Sequence, residues 1–313
     1  MSTAERETLM PLPVASQWGS KRSSIRTGPF SLSICCRRAL GEKSFSADWG
    51  YLDHTLPDAR AREHYIVKFG RGSNEALASI LRHEAPYMAL ARMLGLRVHA
   101  ELVLLKRALF IPRFDRQVTG EGVLRLGQES IATLTGNPGF DTVPSHDEVC
   151  RQLLRQCTHP LTEVLEYIKR DVANLALGNK DNHARNTAVQ RDFSGGIRLT
   201  PLYDFAPMYL HPDGIARRIR WEGNDGSAPD WNRVIDKVCE IAQTLRDEKR
   251  MPSAQKKALR EVCRPALAEG LRSMAEPLKK IAAHGTDFGL EPAVHAHLKL
   301  GIEAQAQRLT ALN

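Results

Sequence analysis

No apolar run in this chain approaches the ~20 residues that a membrane-spanning helix needs, so no membrane association is expected. The first residues, Met1 to Glu7, carry acids and lead into no apolar stretch of the kind a secretory signal requires. Export is therefore not expected, and a cytoplasmic protein is. The six cysteines, Cys35, Cys36, Cys150, Cys157, Cys239 and Cys263, form no C-x-x-C pair. Without such spacing they read as small buried hydrophobes in a reducing compartment rather than disulfide or zinc ligands. Cys150 and Cys157 are a heptad apart, which puts both on one helix face. His295 and His297, two apart in a helical stretch, do not share a face, and no third ligand accompanies them or His183. No internal repeat and no long Lys/Arg run is present.

What the chain does have is ordinary globular composition: 313 residues, 42% hydrophobic and 26% charged. That suffices for one large domain or two lobes with a sizeable core. Net charge is +8, which suits acidic partners, nucleic acid or phosphate-rich ligands without specifying any. The densest basic stretches are Lys21-Arg22, Arg37-Arg38 and Arg217-Arg218-Ile219-Arg220, each expected to be solvated surface.

Residues 1–30 lack periodicity and read as a loosely attached segment. Residues 31–132 have a mixed pattern. Tyr65-Ile66-Val67-Lys68-Phe69 is a strand, followed by a glycine-rich break at Gly70–Ser73. Leu77, Ile80, Leu81, Met88, Ala91 and Leu94 then recur at helical spacing, with Gly95 at the C-cap. Glu101–Leu105 and Ala108–Ile111 form a hairpin pair, and Leu124–Leu126 a further strand. Gly136-Asn137-Pro138-Gly139 marks a linker or surface loop. Residues 133–313 are mostly helical. Leu161 to Leu175 give one amphipathic helix that ends near Gly178, and Trp231 to Leu245 another. The last ~60 residues predict two or three more, interrupted by Pro265 and Pro277. The expectation is an α+β fold with a β-rich small lobe, a helical large lobe and a cleft between them.

Phosphoryl transfer needs held phosphates, metal ions that neutralise charge and a carboxylate that orients the attacking hydroxyl. Asp181 follows a helix end, and Asn186 comes five residues later. That is the separation at which a carboxylate can accept a hydroxyl proton while an amide oxygen helps bind magnesium. An ordinary polar turn has the same spacing. Thr187–Val189 and Gly196–Leu199 alternate like strands around Ser194-Gly195, and such a hairpin would return Asp204 beside Asn186.

The stretches Leu177–Asn186 and Leu199–Asp204 resemble the C-terminal signature of the HipA-type serine/threonine kinases of bacterial toxin–antitoxin modules. Tyr65–Phe69 resembles that family's lysine strand, His83-Glu84 its small-lobe helix, Arg113-Phe114-Asp115-Arg116 its RFDR element and Leu126–Glu129 its hinge. The matches run in order over residues ~40–210. The resemblance implies a two-lobed protein-kinase-like fold that uses ATP and Mg2+. By it, Asp181 is the catalytic base, Asn186 and Asp204 hold magnesium, and Lys68 contacts ATP phosphates. His183 and Tyr203 line the nucleotide site, and Glu129, Ser130 and Ile131 meet adenine. Arg38, Ala39, Gly41 and Lys43 lie in the phosphate loop, where only one glycine is present. Glu84 either pairs with Lys68 or caps its helix. Arg113 and Asp115 read as an internal ion pair.

The resemblance also implies partners: a helix-turn-helix antitoxin (HipB-like), DNA only through that antitoxin, and a translation-related substrate such as an aminoacyl-tRNA synthetase. The chain length suggests a compact branch in which the family's extra N-terminal subdomain is a separate protein. Two other readings stay open. One is a catalytically weak nucleotide-binding regulator acting through an antitoxin–DNA complex. The other is a small-molecule kinase, although its His-Gly-Asp lead-in is replaced by Asn179-Lys180-Asp181.

Overall fold

A computed structural model describes residues 26–27, 30–38, 52–53, 61–70, 74–137, 139, 142–224, 226 and 228–313, with the strands before residue 61 given by their backbone. The chain divides into two compact units, residues 1–85 with 100–125 and residues 86–99 with 126–313.

The first unit is built on an antiparallel sheet of β1 (Arg26–Thr27), β2 (Phe30–Arg38), β3 (Leu52–Asp53), β4 (Ala61–Phe69), β5 (Val103–Leu105) and β6 (Ala108–Pro112). Its order is β1-β2-β4-β6-β5, with β3 also paired to β2. Arg26–Thr27, read from sequence as part of a tail, thus pairs with β2. β4 is central, with Lys68 opposite Leu32 on one side and Leu109 on the other. Strand alternation sends Tyr65 and Val67 to one face, where they pack with Phe110, Phe69 and Val103. Lys68 therefore points to the other face. A separate hairpin, β7 (Arg116–Thr119) and β8 (Gly122–Arg125), follows. Before it, Arg113 binds both carboxylate oxygens of Asp115, the expected internal ion pair. Its charge holds the Asp115 carboxyl below the usual range, against the opposing effect of burial.

The helix α1 (Glu75–Met93) carries the predicted apolar spacing and ends at Gly95, whose φ of +74° is the left-handed C-cap conformation that glycine adopts freely.

In the second unit, β9 (Gly127–Ser130) pairs with β10 (Ala188–Arg191), which pairs with β11 (Ile197–Leu199). The short α2 (Ile131–Leu134) follows β9. The helices are α3 (His146–Gln156), α4 (Pro160–Ala176), α5 (Trp231–Asp247), α6 (Ser253–Ala258), α7 (Arg264–Arg272), α8 (Ala275–His284) and α9 (Pro292–Thr310). Ser145 opens α3 with a capping box in which Glu148 answers. α4 is the hub, packed by α3, α7 and α9. Val164, Ile168 and Val172 on it are fully buried, each contributing roughly 1.5–3 kcal/mol.

Three readings are corrected here. Pro265 and Pro277 do not interrupt helices: they sit in the first turns of α7 and α8, where a missing N–H costs nothing. Cys263 is exposed, unlike the buried Cys150 and Cys157. Arg217 is not solvated surface, because it is held by Asp171. The chain passes to the second unit at residue 126, where β9 pairs with β10 rather than with the first sheet. Among the described residues no helix is long and apolar enough to cross a membrane.

Candidate active site

The site in the second unit starts where α4 stops. Leu177 caps the helix, and Gly178 takes φ +65°. A Cβ there would stand 2.7 Å from Tyr209 Cδ1 and 3.1 Å from Leu298 Cδ2, so both the turn and the packing require glycine. Asn179 then pins the loop: its amide donates to Asn174 Oδ1 (2.9 Å), and its own Oδ1 accepts from Asp181 N–H (3.3 Å). Asn186 Nδ2 donates back to Asp181, to the backbone carbonyl at 3.0 Å and the carboxylate at 3.5 Å. Asp181 and Asn186 are thus brought together, with the Asn186 amide oriented by its own donor side. His183 Nε2 lies 3.7 Å from Asp181 Oδ1, and Nδ1 accepts from Arg185 N–H at 3.2 Å. With Nδ1 an acceptor, the ring's N–H is on Nε2, the nitrogen facing Asp181.

Asp204 arrives from the other side of the β10–β11 hairpin with φ +56°, one of two non-glycine residues in the left-handed region among those described. For a short polar side chain this conformation is tolerated at modest cost. Tyr203 beside it donates its hydroxyl to Arg185 O (2.8 Å), closing the loop between the two acids. Burial, reinforced by the Asp204 charge, raises the Tyr203 phenol well above its ordinary value and keeps it a neutral donor.

The Asp181 carboxyl is raised above its ordinary value. Burial is the largest cause, His183 opposes it, and the negative charge of Asp204 pushes the same way as burial; His211 and the Asn186 hydrogen bond oppose. Two carboxylates that disfavour each other's ionisation make a place where a cation is favourable. Among the described residues no cluster of three or more His, Cys, Asp or Glu could hold a metal. The donor set is instead two carboxylates and an amide, all hard oxygen ligands. That suits magnesium, which keeps several waters and takes few protein ligands. The residues fit the ion.

β9 is an edge strand of its sheet, with Glu129 opposite Val189 and Ser130 opposite Ala188. Ser130 also caps α2 by accepting from Thr133 N–H. Ile131 is fully buried; its N–H donates to Thr187 O and its carbonyl accepts from Thr135 N–H. Its main chain is therefore occupied within the protein; pairing alternates along β9, so Glu129 also turns its main chain to β10, while Gln128 and Ser130 turn theirs to the outer edge among the described residues.

In the first unit, Lys68 is buried and binds both carboxylate oxygens of Glu84 at 2.8 Å. Of the two readings of Glu84, the pair with Lys68 is the one present. Of the phosphate-loop residues, Arg38 ends β2 by its backbone, and Ala39, Gly41 and Lys43 lie outside the described residues.

Sequence reasoning missed the residues that hold Asp204 in place. Arg97 makes a two-pronged pair with Glu163 (2.8 and 2.9 Å) and donates to Leu199 O at 2.7 Å. Glu163 in turn accepts from Leu199 N–H, and Arg97 O accepts from Leu202 N–H, each at 2.8 Å. Arg170, paired to Glu166, donates to Thr200 O at 2.7 Å. The main chain from Leu199 to Leu202 is gripped at nearly every polar group. His211, one of the groups whose charge acts on Asp181, was also missed. Apart from the i, i+4 pair of Glu166 and Arg170, no local signal marks these residues, since their other contacts span dozens of positions.

A two-lobed protein-kinase-like α+β fold, carrying a paired Asp–Asn loop and a returning Asp, defines the class. The chain belongs to the HipA-like C-terminal domain family, which matches residues 43–269. It is 32% identical over 111 residues to "Putative kinase Y4mE" of Sinorhizobium fredii, a match covering 34% of this chain and 26% of that protein. The chain thus aligns to about a quarter of that relative's length. Among solved structures, it resembles a chain of the Shewanella oneidensis MR-1 toxin–antitoxin complex of HipA, HipB and operator DNA. The TM-score is 0.58 at 21% identity, over 95% of this chain and 67% of that one. The Helicobacter pylori proinflammatory kinase CtkA aligns with a TM-score of 0.46 at 13% identity, over 83% and 86%.

Proposed function

We propose that this protein is an ATP- and magnesium-dependent serine/threonine protein kinase. The observation that carries the reading is the meeting of Asp181, Asn186 and Asp204 in one loop system whose two carboxylates repel each other. In this reading Asp181 accepts the proton of the attacking hydroxyl as its oxygen bonds to the γ-phosphorus and the bond to ADP breaks. Asn186 and Asp204 would hold magnesium, and Lys68, positioned by Glu84, would meet the phosphates. When bound, magnesium neutralises charge on the transferring phosphoryl group. His183 and Tyr203 would border the nucleotide, and the β9 edge at Glu129 and Ser130 would face adenine. Arg38, Ala39, Gly41 and Lys43 would complete the phosphate loop.

Family membership and the likeness to a chain from a toxin–antitoxin complex support a further step. The protein acts as the toxin of a bacterial module, held by a HipB-like helix-turn-helix antitoxin and meeting DNA through it, with a translation-related substrate such as an aminoacyl-tRNA synthetase. Intact mass spectrometry after incubation with ATP and Mg2+, alone and with cell lysate, tests the activity. Phosphate is expected on this chain or on a lysate protein. Nucleotide binding with phosphate on no protein would favour a regulator, and phosphate on a small alcohol alone a small-molecule kinase.

A further inference from the structure

Asp181 is followed by a buried asparagine that the chemistry of the loop leaves unused. Asn182 Oδ1 accepts from Arg218 N–H at 3.0 Å, and its Nδ2 donates to Ile219 O at 3.3 Å. Both partners are main-chain groups, so one side chain stands in for a strand neighbour. Only an amide meets both. A carboxylate would set an oxygen against Ile219 O, and an apolar side chain would offer neither bond.

The other asparagines of the loop act locally. Asn179 and Asn186 bind Asp181 from two and five residues away, which shapes the loop from within. They do not fix it against the rest of the unit. Longer-range bonds do. Before Asp181, Gly178 O accepts from Tyr209 N–H (3.1 Å); after it, Ala184 O accepts from Ala132 N–H (3.1 Å). Between these, Asn182 ties the loop at the residue bonded to Asp181 itself.

What Asn182 grips is in turn held. Ile219 and Trp221 are buried. Arg217 donates to both oxygens of Asp171 on α4 (3.0 and 2.7 Å), and Trp221 Nε1 donates to the same carboxylate (2.9 Å). His146, the first residue of α3, stacks its ring on Trp221 with centroids 4.6 Å apart, and its N–H donates to Arg220 O (2.9 Å). The main chain of Arg218 and Ile219 is therefore pinned on both sides. α4 reaches the loop twice: directly, where the helix ends after Ala176, and again through Asp171, this segment and Asn182. A reacting group keeps its place only when the groups that hold it are themselves locked.

We propose that Asn182 is a positioning residue for Asp181, tying the loop to the braced main chain of Arg218 and Ile219 so that the carboxylate stands where the attacking hydroxyl arrives. The assignment rests on the kinase reading given above. The test is a double-mutant cycle on transfer of radiolabelled γ-phosphate with ATP and Mg2+, using wild type, Asn182→Ala, Asp181→Gln and the double variant. Asn182→Ala alone is expected to lower kcat by about 10–100-fold, the cost of a slightly misplaced reacting group, with KM for ATP and the magnesium dependence kept. In the Asp181→Gln background the same change is expected to lower kcat by less than about twofold, because the group it positions is gone. A merely structural role would lower both backgrounds by the same factor. That result, or no fall in the wild-type background, would overturn the positioning role while leaving the kinase intact. Should Asn182→Ala show no cooperative unfolding in urea, Asn182→Ser, which keeps a polar atom there, completes the cycle with the same expectations. Transfer by Asp181→Gln at the wild-type rate would remove the catalytic assignment, and the positioning role with it.

Discussion

α4 carries two arginine–carboxylate systems, and they hold the chain on either side of Asp204 in different ways. Upstream, Glu163 and Glu166 with Arg97 and Arg170 grip the main chain of Leu199 to Leu202. Downstream, Asp171 grips the side chains of Arg217 and Trp221. A main-chain clamp fixes a path whatever its side chains are, and it suits the approach to a residue whose backbone angle is unusual. A side-chain clamp fixes which face of a strip is shown. The first system therefore governs where Asp204 stands, and the second governs which side chains of the segment Arg217–Trp221 are held inward.

Breaking the second clamp should cost the most stability. Asp171→Ala leaves Arg217 buried and without its carboxylate, for a loss of about 3–5 kcal/mol in urea unfolding. An unchanged midpoint would show that the pair is not the anchor. Glu163→Gln keeps an acceptor but removes the charge opposite Arg97, so a smaller loss of roughly 1–2 kcal/mol is expected. Its effect on transfer should be the larger of the two. The expected signature is a weakened dependence of kcat on magnesium as Asp204 loosens, restored by Glu163→Asp only in part. If Asp171→Ala shifted the magnesium dependence and Glu163→Gln did not, the two roles would be reversed.

The smallest effect concerns the acids themselves. Asp181 is raised in the folded chain, so the folded state holds its proton more tightly than the unfolded state. That contribution to stability is fully present below the ordinary value of 3.8 and is lost as pH rises through the raised value. At neutral pH without metal the ionised Asp181 therefore destabilises, and Asp181→Asn should raise Tm there. The gain should vanish at pH below 3.8 and shrink when magnesium is added. A lower Tm for the variant in metal-free neutral buffer would contradict the penalty that burial and Asp204 place on the ionised Asp181.

Much of the framework was legible because it is written locally. Strand alternation around Ser194-Gly195 foretold the β10–β11 hairpin, and helical spacing from Leu161 to Leu175 foretold α4 and its end at Gly178. The Lys68 strand was within reach of spacing alone, but the bond between Asn186 and Asp181 was not, since an ordinary polar turn has the same spacing. The charged side of α4 was not. Glu163, Glu166, Arg170 and Asp171 look like the wet face of an amphipathic helix, yet all four are buried. A helix wrapped on every side still needs its charges paired: Glu166 and Arg170 pair with each other, and the partners of Glu163 and Asp171 come from distant Arg97 and Arg217. For the same reason Arg217 read as solvated surface, since nothing near it in sequence announces Asp171. The placement of β9 also depended on a distant partner, β10.

The central claim is that Asp181 orients the hydroxyl that takes the phosphate. Transfer of radiolabelled γ-phosphate by purified Asp181→Gln, measured beside wild type with ATP and Mg2+, tests it most directly. The account predicts that transfer falls by about 10²–10⁴-fold while the unfolding midpoint does not fall. Transfer at the wild-type rate would contradict it.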